Sequence, residues 1–403
     1  LKTIINYIKE VVMKNSFKLF VILIGFSFVF FSCESNSPVT PVSTNSTNNP
    51  TYIVTIQSDG NSIQSNNIES DIQQIFAEHN IAISSLVYTY STVLKGFAAQ
   101  LSDGEVASLK SDKKIVAIEK DQEYQLIDKV ESIDDAKGNK VQSQSIPWGI
   151  NYIGGFTEAT SATGVAWIVD TGVNLDHPDL NVNLNLSKTM YTSGTDAVSA
   201  DDLNGHGSHV AGIIAAKNNS IGVVGVCAGA QVIAVKVLNY RGCGAISTIV
   251  AGLDYVGSHL VSDKINVVNL SLGGSVSTAL DNSVKNLAGL GAYLVLAACN
   301  SSDNVLNYSP ARVEATRVYT ISSHNSQGVF STFSNYGNPS IDFAAPGENI
   351  YSTYKNGGYA TMSGTSMSAP HVSGILLANN GVINWSGYVT ADKDGYPDKK
   401  AKR

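Results

Sequence analysis

Apolar and polar residues follow two different rhythms along this chain, and the change of rhythm divides it. From Tyr52 to Ile118 the apolar positions come in short, one-sided pieces. Tyr52-Ile53-Val54-Thr55-Ile56 alternates as a half-buried strand does. Ile68 to Phe76 has helical spacing, Ile81 to Tyr90 reads as a strand, and Gly96 to Leu101 as another. Asp103 to Ser111 reads as a helix and Ile115 to Ile118 as a last strand. The order β-α-β-β-α-β predicts a small α+β, ferredoxin-like domain over residues 51–127.

From Pro147 the rhythm changes. Nearly continuous apolar runs recur at Val165–Val169, Gln231–Val237, Val267–Leu270 and Tyr293–Ala298, with helical stretches between them. Unbroken β-rich runs belong to parallel strands buried on both faces. Right-handed crossovers then put helices on both sides of the sheet. The expectation is a three-layer α/β domain over residues 144–381, with function at the carboxyl ends of its strands.

The segments outside these two blocks are polar or differently patterned. Lys14 and Lys18 precede an apolar run from Leu19 to Phe31, the form of an export signal core, and Met13 reads as its natural start. The run ends at Ser32-Cys33, which resembles a lipoprotein signal with Cys33 as the lipidated residue, so 1–33 reads as a signal segment. That resemblance implies a chain exported from a bacterial cell, either anchored by lipid or secreted. Residues 34–50 are rich in Ser, Thr, Asn and Pro and read as a tether. Residues 128–143 read as an exposed, cleavable linker. Residues 382–403, with Asp392-Lys393-Asp394-Gly395, read as a solvated tail. After residue 33 no apolar run reaches eighteen residues, and a net charge of −7 gives no footprint for nucleic acid.

Four polar side chains stand where strands end or helices begin. Asp170 follows the first apolar run, before Thr171-Gly172. His206 lies in Asn204-Gly205-His206-Gly207-Ser208-His209-Val210-Ala211-Gly212. Asn300 follows Ala297-Ala298-Cys299, and Ser366 lies in Gly364-Thr365-Ser366-Met367-Ser368-Ala369-Pro370-His371. Singly these are common turn and cap residues. Together they supply a carboxylate, an imidazole base, an amide donor and an alcohol nucleophile placed near the unpaired N–H groups of a helix start. His209, three residues after His206, is the rival base by composition.

These strings resemble the three signatures of the subtilisin-like serine peptidases, in that family's order Asp, His, Ser, over about Gln144 to Gly374. Lys95-Gly96-Phe97-Ala98-Ala99 resembles the family's inhibitory propeptide. The resemblance implies a serine endopeptidase working through an acyl-enzyme. Ser366 would be the nucleophile, His206 the base, Asp170 its orienting carboxylate and Asn300 an oxyanion donor, with no cofactor in the chemistry. It implies a substrate cleft between Gly242-Cys243-Gly244 and Ser271-Leu272-Gly273, with Ala297, Ala298 and Cys299 as the far wall of the primary pocket. The family usually has glycine where Cys299 stands, and both cleft cysteines are expected to meet thiol reagents.

The resemblance also implies a structural calcium site. Its ligands would be Asp179, the Gln144 and Asn219 side chains, and the carbonyls of Lys217, Ile221 and Val223. The implied partners are protein or peptide substrates and the chain's own propeptide, acting as intramolecular inhibitor and folding aid. The implied state is a monomer, made as a zymogen. An α/β-hydrolase esterase needs glycine two residues after the nucleophile, where Ser368 stands. A catalytically dead binding protein would lack a member of the triad, and none is missing.

Overall fold

The computed structural model describes residues 49–57, 68–134, 143–161 and 163–403, all within one compact unit, Asn45–Arg403. Cys33, the signal segment and nearly all of the tether lie outside the described residues, as does 135–142 of the linker.

The small domain follows the predicted order. Leu86–Tyr90, Gly96–Gln100, Thr51–Ile56 and Ile115–Lys120 form a four-stranded sheet in that spatial order. Helices Ile68–Glu78 and Asp103–Lys110 close one face over Ile72, Ile75, Phe76, Phe97 and Leu109. Ser102 starts the second helix through a capping box with Glu105. The stretch before Leu86 departs from expectation: Ile83–Ser85 is a single 3-10 turn, so the strand starts later than its apolar content suggests.

The large domain is built on a sheet whose central strands are Gln231–Lys236, Val165–Asp170, Asn266–Leu270, Tyr293–Ala297, Val318–His324 and Phe343–Pro346, all parallel. Alternation along Val165–Asp170 sorts the layers. Ala166 and Ile168 pack with helices His206–Ala215 and Thr365–Ala378, while Val165, Trp167 and Val169 pack with Ile246–Ser258 and Thr278–Gly289. Both helices carrying candidate site residues therefore share one face.

The small domain docks on the other face. Asp121 Oδ1 accepts the Ser247 N–H (3.0 Å), and Glu119 Oε2 accepts the N–H groups of Thr278 and Ala279 (3.0 and 3.2 Å). Two carboxylates thus satisfy orphan donors at the N-termini of the two helices beneath them, where the helix dipole favours negative charge.

Two sequence expectations are corrected. The linker is not all loop: Lys129–Asp134 is a strand paired antiparallel with Tyr359–Ser363, though its side chains are exposed. The tail is not simply solvated either. Asn384–Tyr388 and Lys399–Lys402 form a hairpin whose second strand joins Phe343–Pro346, and Asp398 is buried. Both segments take up hydrogen bonds at open strand edges, which no local hydrophobic period announces.

Candidate active site

The first apolar strand ends on Asp170, wholly buried, whose Oδ1 lies 2.8 Å from His206 Nδ1 and also accepts the Thr171 N–H (2.6 Å). His206 opens its helix because its flanking glycines allow it. A Cβ on Gly207 would stand 2.0 Å from the carbonyl oxygen of Gly172, so the helix start can press on the strand end only without one. Gly205 has φ +114°, and a Cβ there would strike the Tyr354 ring at 2.3 Å.

Sequence reasoning missed Asp202. Its buried carboxylate accepts from Thr171 Oγ1 (2.9 Å), Gly205 N–H (2.8 Å), Ser208 N–H (2.8 Å) and Ser208 Oγ (2.7 Å). It ties the loop after Asp170 to the helix bearing His206. Burial raises its pKa above the usual carboxylate range, against those hydrogen bonds.

The rival histidine is resolved by its surroundings. His209 is fully buried with Nε2 3.0 Å from the carbonyls of both Ile350 and Ala360. Burial, followed by the neighbouring charge of His206, lowers its pKa to about 3. It is a neutral structural group. At His206 burial also opposes the charged form, but Asp170 and Asp128 outweigh it and raise the pKa to about 10.

Ser366 is the second residue of Thr365–Ala378. Asn269 Nδ2 donates to Ser271 Oγ, which donates to the Ser366 carbonyl (2.8 Å). Asn300 is oriented from one side: its Oδ1 accepts the Thr365 N–H (2.8 Å) and Thr365 Oγ1 (2.9 Å), which aims Nδ2 into the centre. Thr365 was not singled out from sequence.

Three of the four predicted groups, Ser366, His206 and Asn300, converge on one carboxylate, that of Asp128, which sequence placed in the linker. Ser366 Oγ donates to its Oδ2 (2.8 Å), Asn300 Nδ2 donates to its Oδ1 (2.9 Å), and His206 Nε2 lies 3.2 Å from Oδ2. Just before it, Glu123–Gln125 pairs antiparallel with Cys243–Ala245, and the Leu126 N–H donates to the Gly242 carbonyl (3.0 Å). Tyr124 is buried against Gly274, with its hydroxyl on the Ser275 carbonyl (2.6 Å).

Beneath this strand lies a cavity of about 200 Å³. Its lining includes Ser271, Leu272, Gly273, Ala297, Cys299 and Tyr308. Cys299 keeps a left-handed φ of +76°, which favours glycine, and a Cβ on Gly273 would meet its Sγ at 2.5 Å. Burial, with Asp128 nearby, pushes the Cys299 thiol up to about 12. Cys243 is buried in the paired strand.

The expected calcium ligands also gather. Asp179 is wholly buried, and among the described residues its carboxylate accepts from Asn219 Nδ2 (2.8 Å), Val223 N–H (3.1 Å) and Tyr359 Oη (3.2 Å). Gln144 Nε2 bridges the carbonyls of Lys217 (2.9 Å) and Val223 (3.3 Å), and Asn219 Oδ1 accepts the Ile221 N–H (2.8 Å). Burial raises the Asp179 pKa. A buried carboxylate without a contacting cation, beside backbone carbonyls and two amides that each carry an oxygen, fits a hard divalent ion.

A carboxylate, an imidazole, an alcohol and an amide donor in this arrangement are the equipment of a serine hydrolase centre. Comparison with known proteins narrows the class. The Subtilase family model matches residues 163–387, and the Peptidase inhibitor I9 model matches residues 51–127. M-protease of Shouchella clausii (strain KSM-K16) is 35% identical over 329 residues, covering 78% of this chain and 79% of that protein. Alkaline serine exoprotease A of Vibrio alginolyticus is 36% identical over 314 residues. That match covers 76% of this chain, which spans only 55% of the Vibrio protein. A solved cold adapted subtilisin-like serine proteinase superposes with a TM-score of 0.54 at 33% identity, covering 63% of this chain and 96% of its own. The chain belongs to the subtilase family, as a subtilisin-like serine peptidase with an I9-type propeptide domain.

Proposed function

We propose that this chain is an exported serine endopeptidase, made as a precursor inhibited by residues 51–127, that cleaves protein or peptide substrates through Asp170, His206 and Ser366. The observation that carries the reading is the convergence of Ser366, His206 and Asn300, from three separate elements, on one pair of oxygens. Ser366 Oγ attacks the substrate carbonyl carbon while its proton passes to His206 Nε2. Asn300 Nδ2 and the Ser366 N–H bind the oxyanion. His206 then gives its proton to the leaving amine, and the acyl-enzyme ester is hydrolysed by water activated at the same imidazole. Asp170 orients the ring through Nδ1 and stabilises its charged form.

Substrate backbone pairs between Gly242-Cys243-Gly244 and Ser271-Leu272-Gly273, as the chain's own strand pairs with the first of these. Cys299 narrows the primary pocket. Cys299→Gly is expected to raise the preference for an aromatic over a small residue before the scissile bond by about tenfold in kcat/KM.

Calcium would be held by Asp179, Gln144 and Asn219 with the carbonyls of Lys217, Ile221 and Val223, supplying charge balance for a buried carboxylate. Lipidation at Cys33 and export rest on the sequence pattern. Separation of 51–127 from the peptidase falls in 126–143, before Gln144 joins the ion site. The test of the function is fluorophosphonate labelling with casein hydrolysis by the processed protein. Both are expected in wild type and lost in Ser366→Ala; an active Ser366→Ala protein, or processed wild type that neither labels nor cleaves, overturns it.

A further inference from the structure

The strand entering the cleft turns alternate side chains toward the enzyme. Tyr124 is buried and Leu126 half-buried, whereas Glu123, Gln125 and Ile127 are exposed. The same alternation turns Asp128 inward, where its side chain is 3% exposed. Beyond Asp128 the chain pairs at once with the strand that leads to the nucleophile, Lys129 opposite Ser363 and Val130 opposite Met362. The uncut chain is therefore held as strand on both sides of Ser366.

What it presents between those anchors is unlike a peptide about to be cut. The hydroxyl of Ser366 and the amide of Asn300 are both taken by a side-chain carboxylate. The neighbouring Ile127 is 61% exposed and does not fill the cavity between Gly273 and Cys299. A carboxylate matches these groups well, with two oxygens for two donors and a negative charge against the imidazole. It also resembles the oxyanion in charge while offering no bond for the nucleophile to break. Beside the same imidazole, Asp170 and this carboxylate together outweigh burial and raise the His206 pKa to about 10, which favours the charged ring that cannot accept the serine proton.

We propose that Asp128 is an internal inhibitor whose side-chain carboxylate occupies the catalytic donors of the uncut chain, and that the centre binds side-chain carboxylates of cleft peptides as inhibitory ligands. This rests on the serine-peptidase reading and adds a lock to it. Release requires Asp128 to leave before a peptide carbonyl takes its place, so conversion of the precursor is limited by undocking of one side chain.

The test uses the full chain and its processed form. Precursors of wild type, Asp128→Asn and Asp128→Ala are compared for fluorophosphonate labelling of Ser366 before cleavage and for the rate of conversion. Loss of the carboxylate is expected to speed both by about ten- to hundredfold, the equivalent of charge-assisted hydrogen bonds lost from the locked state. The second arm is independent of how the variants fold. A synthetic peptide of residues 121–128 is expected to inhibit processed wild-type enzyme at least about tenfold more strongly than the same peptide with alanine at the last position. Both peptides are amidated, so that only the side chain differs in charge. Variant precursors that label and convert no faster than wild type, or two peptides of equal potency, overturn the proposal. If processed wild type itself fails to label, the serine-peptidase reading fails instead.

Discussion

The catalytic centre and the Asp179 loop each bury a carboxylate completely, and they balance it in different ways. Asp170 has an imidazole at 2.8 Å, supplied by the chain itself. Asp179 has an amide, a backbone N–H and a phenol, all neutral, beside carbonyl oxygens. Burying an ion without compensation costs several kcal/mol. The first site meets that cost with an imidazole of the chain's own, whose positive charge Asp170 favours. The second has no cation in hydrogen-bond contact among the described residues, only the more distant charge of Lys217, an arrangement that would suit a structural ion from solution. The Asp398 region supplies a third case. Its buried carboxylate has a hydroxyl, an amide and two further aspartates nearby, and burial followed by those charges pushes its pKa up to about 7.

The contrast can be broken most severely at Asp170. Asp170→Asn keeps the shape but presents an amide to His206 Nδ1, so the imidazole loses its orienting charge. The expected result is a fall in kcat of about 10⁴ with little change in melting temperature, read by ester and peptide hydrolysis. A small fall would mean that His206 does not depend on its buried partner. Removing Asn300 Nδ2 by Asn300→Ala should cost about 10²–10³ in kcat, a size established for oxyanion donors of this family rather than derived from these distances.

At Asp179 the expected effect is on stability instead. Chelation should cost about 3 kcal/mol, or roughly 5–10 °C in melting temperature, when the ion had been present at a hundredfold excess over its Kd. Asp179→Ala should melt lower and lose its response to the chelator. Equal responses in both proteins would place the ion elsewhere.

Asp398 should show itself through pH alone. Its folded pKa of about 7 lies above the ordinary value of 3.8, so between these pH values the folded chain binds more protons than the unfolded one. The stability this gives is fully present below about pH 4 and is lost as pH rises through about 7, at no more than about 1.4 kcal/mol per pH unit. Asp398→Asn should flatten that slope in melting curves taken from pH 4 to 8. A slope unchanged by the substitution would assign it to another group.

These sites differ in how far sequence foretold them. Asp170, His206, Asn300 and Ser366 each sit in a dense string of glycines and small residues, because helix starts pressed on strand ends need that composition. Gly207 against Gly172 is the clearest instance. The sheet strands were equally plain, being apolar on both faces. Asp128 was hidden because a single aspartate between Ile127 and Lys129 has no local signature, and its role exists only once two distant strands fix it from either side. The Lys399–Lys402 strand was missed for the same reason, its partner Phe343–Pro346 being set by tertiary register, and Asp202 because its tie to Thr171, thirty-one residues earlier, has no local signature.

His209 has one more consequence. Its ring spans the carbonyls of Ile350 and Ala360, while Ser352 Oγ returns to the His209 carbonyl (2.8 Å) and Thr353 Oγ1 to that of Ser208 (2.6 Å). The hairpin held this way runs directly into the turn before Ser366. The helices bearing His206 and Ser366 are thus riveted to a common frame. On heating, such a frame fails as a whole, so loss of turnover and loss of near-ultraviolet dichroism should share one midpoint, with no inactive but still folded species between them.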